Sequence, residues 1–259
     1  MNYSVPGYLT PFLLTGMIAI ITAILLGTDR ALRRAAWPHK DRAKAFWSVA
    51  SMLVGWFAVA VATSWAGVYS PSGRVPTIQY ALLIPIVAGV LLFRNSSLLR
   101  RTLAIVPNPW LAGVQVYRTM GVIFLVLYAS ARLPGLFALP AGLGDISVGI
   151  LAPVVALAYA RRTEATARRV TLWNLLGIAD LVIAVTMGFL TSPSPFQVAA
   201  FDRPSALIGV FPLSLIPAFA VPLSVLLHIA SLQKVRQDQR TAYSIEGAEQ
   251  PRYLGHPVK

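Results

Sequence analysis

The chain has 259 residues, 56% hydrophobic and 12% charged, with a formal net charge of +13 and no cysteine. A soluble domain carries roughly 25% charged residues, so a water-soluble globular class is excluded. The lack of cysteine excludes disulfides, zinc–thiolate and iron–sulfur sites, and a cysteine nucleophile.

The apolar residues fall in runs of about 20, the length that crosses a hydrocarbon core about 30 Å thick. A membrane barrel would show short alternating strands instead. In chain order the predicted spans are about 8–27, 46–68, 76–93, 109–130, 137–160, 170–191 and 207–231. No basic residue precedes the first run, and a basic cluster follows it. A cleaved signal peptide has the opposite order, so this run is expected to be a retained span.

The connections alternate in charge. Segment 28–45 holds Arg30, Arg33, Arg34, Lys40, Arg42 and Lys44, and segment 94–108 holds Arg94, Arg100 and Arg101. Segment 161–169 holds Arg161, Arg162, Arg168 and Arg169, and the tail holds Lys234, Arg236, Arg240, Arg252 and Lys259. The intervening connections carry only Arg74, Arg132 and Arg203, so the bias is eighteen against three. The positive-inside rule then places the N-terminus outside and the C-terminus in the cytoplasm.

The expected fold is an all-α integral membrane protein of about seven transmembrane helices, multi-pass in the inner (plasma) membrane. A transmembrane domain occupies 1–232, and a polar tail over 233–259 reads as disordered. The net charge is mainly a topological signal. It implies contact with anionic lipid headgroups and no nucleic-acid partner. Trp37, Trp47, Trp65, Tyr69, Trp110 and Tyr128 fall near span ends, where aromatic rings suit the interface. Pro109 falls near the first turn of the fourth span, where a missing N–H costs little.

Only Arg118, Asp145 and Asp180 carry charge inside the spans. A charge at the bilayer centre costs at least about 2.5–3.5 kcal/mol on insertion scales, which makes these three the leading site candidates. Arg118 and Asp180 lie near the middle of their spans, and Asp145 a few residues outward, so one long Arg side chain could serve both carboxylates. Two carboxylates and one guanidinium leave one negative charge over. Either a carboxyl is protonated or a cation occupies the gap. The alternative is a static ion pair that pins helices in one arrangement.

Gly142-Leu143-Gly144-Asp145-Ile146-Ser147-Val148-Gly149-Ile150 and Gly177-Ile178-Ala179-Asp180-Leu181-Val182-Ile183-Ala184-Val185 both fit G-[LI]-[GA]-D-[IL]-x-[VI]-[GA]-[IV]. The spacing predicts two antiparallel neighbours with small residues around one Asp each, which lets backbones approach closely in lipid. Tyr117, Asn174 and His228 are further candidates for a polar cavity, with Gln115, Gln79 and Tyr80 behind them. His228, predicted near the cytoplasmic end of span seven, is a candidate proton carrier or a hydrogen-bonded core residue. Pro212, Pro217 and Pro222 mark span seven for a kink.

One His and two separated Asp fall short of a zinc ligand set, so no metal site and no cofactor are expected. There is no P-loop, no paired-His motif and no G-x-S-x-G elbow. No Lys lies in a span, which excludes a retinal Schiff base. No catalytic residue can be named, and the balance of motifs is against an enzyme. The leading functional expectation is a small proton- or ion-linked carrier or binding protein for a polar solute, which a homodimer could complete. The alternatives are a membrane-embedded enzyme acting on a lipid or isoprenoid, and a non-catalytic sensor or assembly protein. A water-sized cavity reaching the three charges favours the first, and a sealed, dry trio favours the last.

Overall fold

A computed structural model describes residues 5–71, 77–161 and 163–249. Arg74, Arg162, Arg252 and Lys259, used above for topology, lie outside the described residues, as does the tail from 250. Every regular element among the described residues is helical. Among the described residues, seven helices are long and apolar enough to cross a membrane, as a multi-pass membrane protein requires.

The helices are α1 Leu9–Arg34, α2 His39–Trp65, α3 Ile78–Asn95, α4 Ser97–Ile105, α5 Asn108–Gly113, α6 Val122–Ala129, α7 Gly135–Tyr159, α8 Glu164–Thr191 and α9 Val221–Glu249. The fourth span is compound: α5 and α6 are joined by a 3₁₀ stretch, Val114–Gly121. The α7 helix packs against α8 and the whole fourth span, while α9 packs against α3, α5 and α8. Tyr69 and Asn108 lie at opposite ends of the bundle, the Tyr69 end and the Asn108 end.

Three features depart from the predicted elements. Segment 94–108, read as a loop, contains α4. The Ser96 Oγ caps it by accepting from the Leu99 N–H at 3.2 Å. Leu99 and Leu103 then pack onto the core, while Arg100 and Arg101 are exposed. Nine residues are too short to register as a span, yet long enough for one amphipathic face.

Span seven begins later than 207. Residues Ala206–Gly209 make a short 3₁₀ turn, and continuous helix starts with a π turn at Ile216–Ala220. Pro212 thus lies outside the helix, while Pro217 lies in the first residues of the π turn and Pro222 just after it. A proline at position 222 removes the N–H that the Ala218 carbonyl would accept. The Trp56 Nε1–H donates to that carbonyl instead, at 3.1 Å. Phe219, fully buried, fills the space beside it against Trp56 and Phe57, with ring centroids 4.7 and 5.0 Å away.

The polar segment from 233 is helical as far as Glu249, rather than disordered from its start. Val235 is buried against Tyr159, Ala167 and Val170. The Tyr159 hydroxyl donates to Asp238 Oδ2 at 3.0 Å. These contacts hold α9 to the bundle past the apolar run, which composition alone does not reveal.

Candidate functional site

Arg118 lies in the 3₁₀ stretch of the fourth span, and its side chain is 1% exposed. Asp145 sits in α7 and Asp180 in α8, on the neighbours the repeated motif predicts. The helices approach closely because the motif glycines leave room. A Cβ on Gly144 would overlap the Asp180 carboxylate. A Cβ on Gly177 would overlap the His228 ring.

The guanidinium joins both carboxylates. Its Nε donates to Asp145 Oδ1 at 2.8 Å, and its Nη2 lies 2.7 Å from the same oxygen. That Nη2 also donates to Asp180 Oδ2. The Nη1 donates to the Gly177 carbonyl at 3.3 Å and lies 3.2 Å from His228 Nε2. All three charges therefore share one site, and the second oxygen of each carboxylate takes no part in these contacts. An arginine so bonded holds both acidic helices against its own.

Beyond Arg118 a chain of polar groups runs toward the Asn108 end. His228 Nδ1 is 2.8 Å from Asn174 Oδ1, and Asn174 Nδ2 donates to Ser231 Oγ at 2.9 Å. The Ser231 hydroxyl donates to Asn108 Oδ1 at 2.7 Å. His228, Asn174 and Ser231 are all 0% exposed and Asn108 is 1% exposed. The Trp173 ring stands edge-on to His228 at 5.0 Å and closes one flank.

The other side of the cluster is open. A cavity of about 140 Å³ runs from Tyr69, Thr77 and Ser192 at the Tyr69 end to Asp145. Its walls are mainly apolar, with Phe124, Phe137, Leu181 and Ile216 among them. The carboxylate side chains keep 18% exposure at Asp145 and 14% at Asp180, against 1% for the arginine. Asp145 thus faces the space, while Asp180 and Arg118 are not among its lining residues.

Five of the six candidate residues meet in this network: Arg118, Asp145, Asp180, Asn174 and His228. Tyr117 turns toward span seven, where its hydroxyl donates to the Ala220 carbonyl at 2.9 Å and pairs with Ser224. It still lines a small void of about 40 Å³ together with Arg118 and Asp145. Because helix begins at Ile216, His228 lies in the middle of the span Ile216–Thr241 rather than near its end. Of the weaker candidates, Gln115 donates to the Ser224 carbonyl at 3.2 Å, Gln79 lines the cavity, and Tyr80 faces outward at 60% exposure.

Ser231 and Asn108 are members the residue-by-residue reading missed. A signal existed in span seven: Ser224, His228 and Ser231 are spaced four and three apart, which puts them on one helical face. Among the described residues, no group of three or more His, Asp or Glu converges to hold a metal.

Fold and site together show an all-helical chain with seven helices apolar enough to span a membrane among the described residues, and a buried Arg–carboxylate cluster at the base of an apolar cavity. The chain belongs to the family described as a domain of unknown function, DUF8737, which it matches over residues 75–236. That region spans α3 to most of α9 and contains every residue of the network. No curated protein and no solved structure matches the chain.

Proposed function

We propose that this protein is a small carrier or binding protein of the inner membrane that takes up a proton or a cation at Arg118, Asp145 and Asp180. The observation that carries this reading is the charge count of the cluster beside the cavity. Two carboxylates meet one guanidinium, and one of them, Asp145, lines the space that leads to the Tyr69 end. A lone buried charge in a low-dielectric setting is strongly disfavoured, so the site is completed by a proton or a bound cation.

The place of Asp145 in the cavity wall, at 18% exposure beside a nearly sealed guanidinium, favours exchange with the cavity. The basic segments at the Asn108 end would lie in the cytoplasm by the positive-inside rule, so the cavity would open outward. Helix rearrangement around the arginine would then pass the occupant toward the other side.

The test is flux into liposomes containing the purified chain and an internal pH dye. An imposed cation or pH gradient is expected to drive dye response in the parent protein and not in Asp180→Asn or Asp145→Asn. Equal flux in the parent and both folded variants would remove the cluster from the transport step.

A further inference from the structure

The cavity above Asp145 combines one acidic group with apolar walls. Asp145 is the only charged residue that lines it among the described residues, so no cation of the protein competes for the space. Phe124 and Phe137 form part of the wall, with ring centroids 5.3 Å apart in an edge-to-face pair. Tyr69, Thr77, Gln79 and Ser192 supply hydrogen-bonding groups nearer the Tyr69 end.

A hydrated inorganic cation fits this lining poorly. Calcium takes about six to eight oxygen ligands, and magnesium keeps several waters in an octahedron. Here two carboxylates are already engaged by Arg118, and the walls that would replace the waters are carbon. An organic ammonium ion fits better. Its charge needs one carboxylate, its body gains from leaving water, and aromatic faces attract such cations. Size sets a further limit: about 140 Å³ here is close to the roughly 150 Å³ of an engineered apolar cavity that accepts benzene.

We infer that the cavity binds a monovalent organic cation with an apolar body of about one aromatic ring, its ammonium at Asp145 and its ring between Phe124, Phe137 and Leu181. This rests on the proton- or cation-linked reading and names the class of occupant. The cluster has one negative charge to offer, so a proton and an organic cation exclude each other there.

The test uses the full chain in detergent and equilibrium binding of the benzylammonium ion. Benzyl alcohol, which keeps the ring and lacks the charge, and sodium are the comparisons. Saturable binding of benzylammonium at one site is expected, at least about tenfold tighter than benzyl alcohol. Asp145→Asn is expected to lose that preference. Ala184→Trp, which fills the cavity from its wall and leaves the charges in place, is expected to abolish binding with a cooperative melt retained.

Benzyl alcohol binding as tightly as benzylammonium, or binding unaffected by Ala184→Trp, would overturn the inference. A proton flux that persists in liposomes without any benzylammonium binding would also overturn it, while leaving the proton reading of the cluster standing.

Discussion

The Nε2 atom of His228 lies 3.2 Å from Nη1 of Arg118, and a guanidinium can only donate. The imidazole nitrogen must therefore accept, which leaves Nδ1 to carry the proton and donate to Asn174 Oδ1 at 2.8 Å. The Asn174 amide is fixed in turn, because its Nδ2 donates to the Val170 carbonyl at 2.8 Å and to Ser231. From Arg118 to Asn108 every hydrogen bond points the same way.

Replacing His228 with Phe leaves Arg118 Nη1 and Asn174 Oδ1 each one partner short. An unmet buried polar group costs about 1–3 kcal/mol. The thermal midpoint of His228→Phe in detergent is expected to fall clearly, and His228→Gln, which can both accept and donate, to recover part of the loss. A melting curve for His228→Phe that overlies the parent would mean that the relay contributes nothing to the folded state.

Removing Arg118 exposes the two carboxylates to each other. Breaking a buried ion pair from one side costs about 3–5 kcal/mol. Arg118→Gln is expected to be that unstable, and Arg118→Gln combined with Asp180→Asn to regain much of it. A double-mutant cycle measured by unfolding gives the coupling directly. Additive effects would contradict the shared geometry, since independent sites add to within about 0.5 kcal/mol.

Two glycines in helix interiors should respond oppositely to the same change. A Cβ at Gly144 overlaps the Asp180 carboxylate, whereas a Cβ at Gly55 in α2 meets nothing within 4 Å. Overpacking costs about 1–3 kcal/mol, while Gly to Ala in a free helix interior gains roughly 0.5–1 kcal/mol. Gly144→Ala should therefore lower the midpoint and Gly55→Ala should raise it. The same sign at both positions would refute the close approach of α7 and α8.

The absence of cysteine makes orientation simple to measure. Ser70 and Ser97 are both exposed and lie at opposite ends of the bundle. An impermeant maleimide is expected to label Ser70→Cys in intact cells and Ser97→Cys only after permeabilisation. The reverse pattern would invert the predicted topology.

The spans were legible in sequence because a run of apolar residues is local information, and its length needs no knowledge of neighbours. The meeting of Arg118 with Asp145 and Asp180 was legible for a related reason: a charge alone in lipid is costly enough to demand a partner. The rotation of each helix about its axis is set by packing, and it escaped the reading. Asn174 and Asp180 lie on different faces of α8, yet both enter one network because His228 of α9 reaches the first and Arg118 the second. The start of span seven was misplaced because Leu207, Ile208 and Val210 extend the apolar run through residues whose backbone turns rather than spirals. The α4 helix and the helical stretch after 233 depend on contacts with distant segments, such as Val235 against Val170, that no local pattern encodes.

A 3₁₀ stretch rises about 2.0 Å per residue with three residues per turn, and an α-helix rises 1.5 Å with 3.6. The eight residues Val114–Gly121 are thus drawn out by about 4 Å relative to α geometry. Rewinding Val114 to Arg118 alone would swing the guanidinium by roughly 80° about the helix axis. The fourth span therefore resembles a wound spring with its only charge mounted midway. A small change of pitch would carry the arginine out of register with both acids while leaving the ends of that span joined to their neighbours.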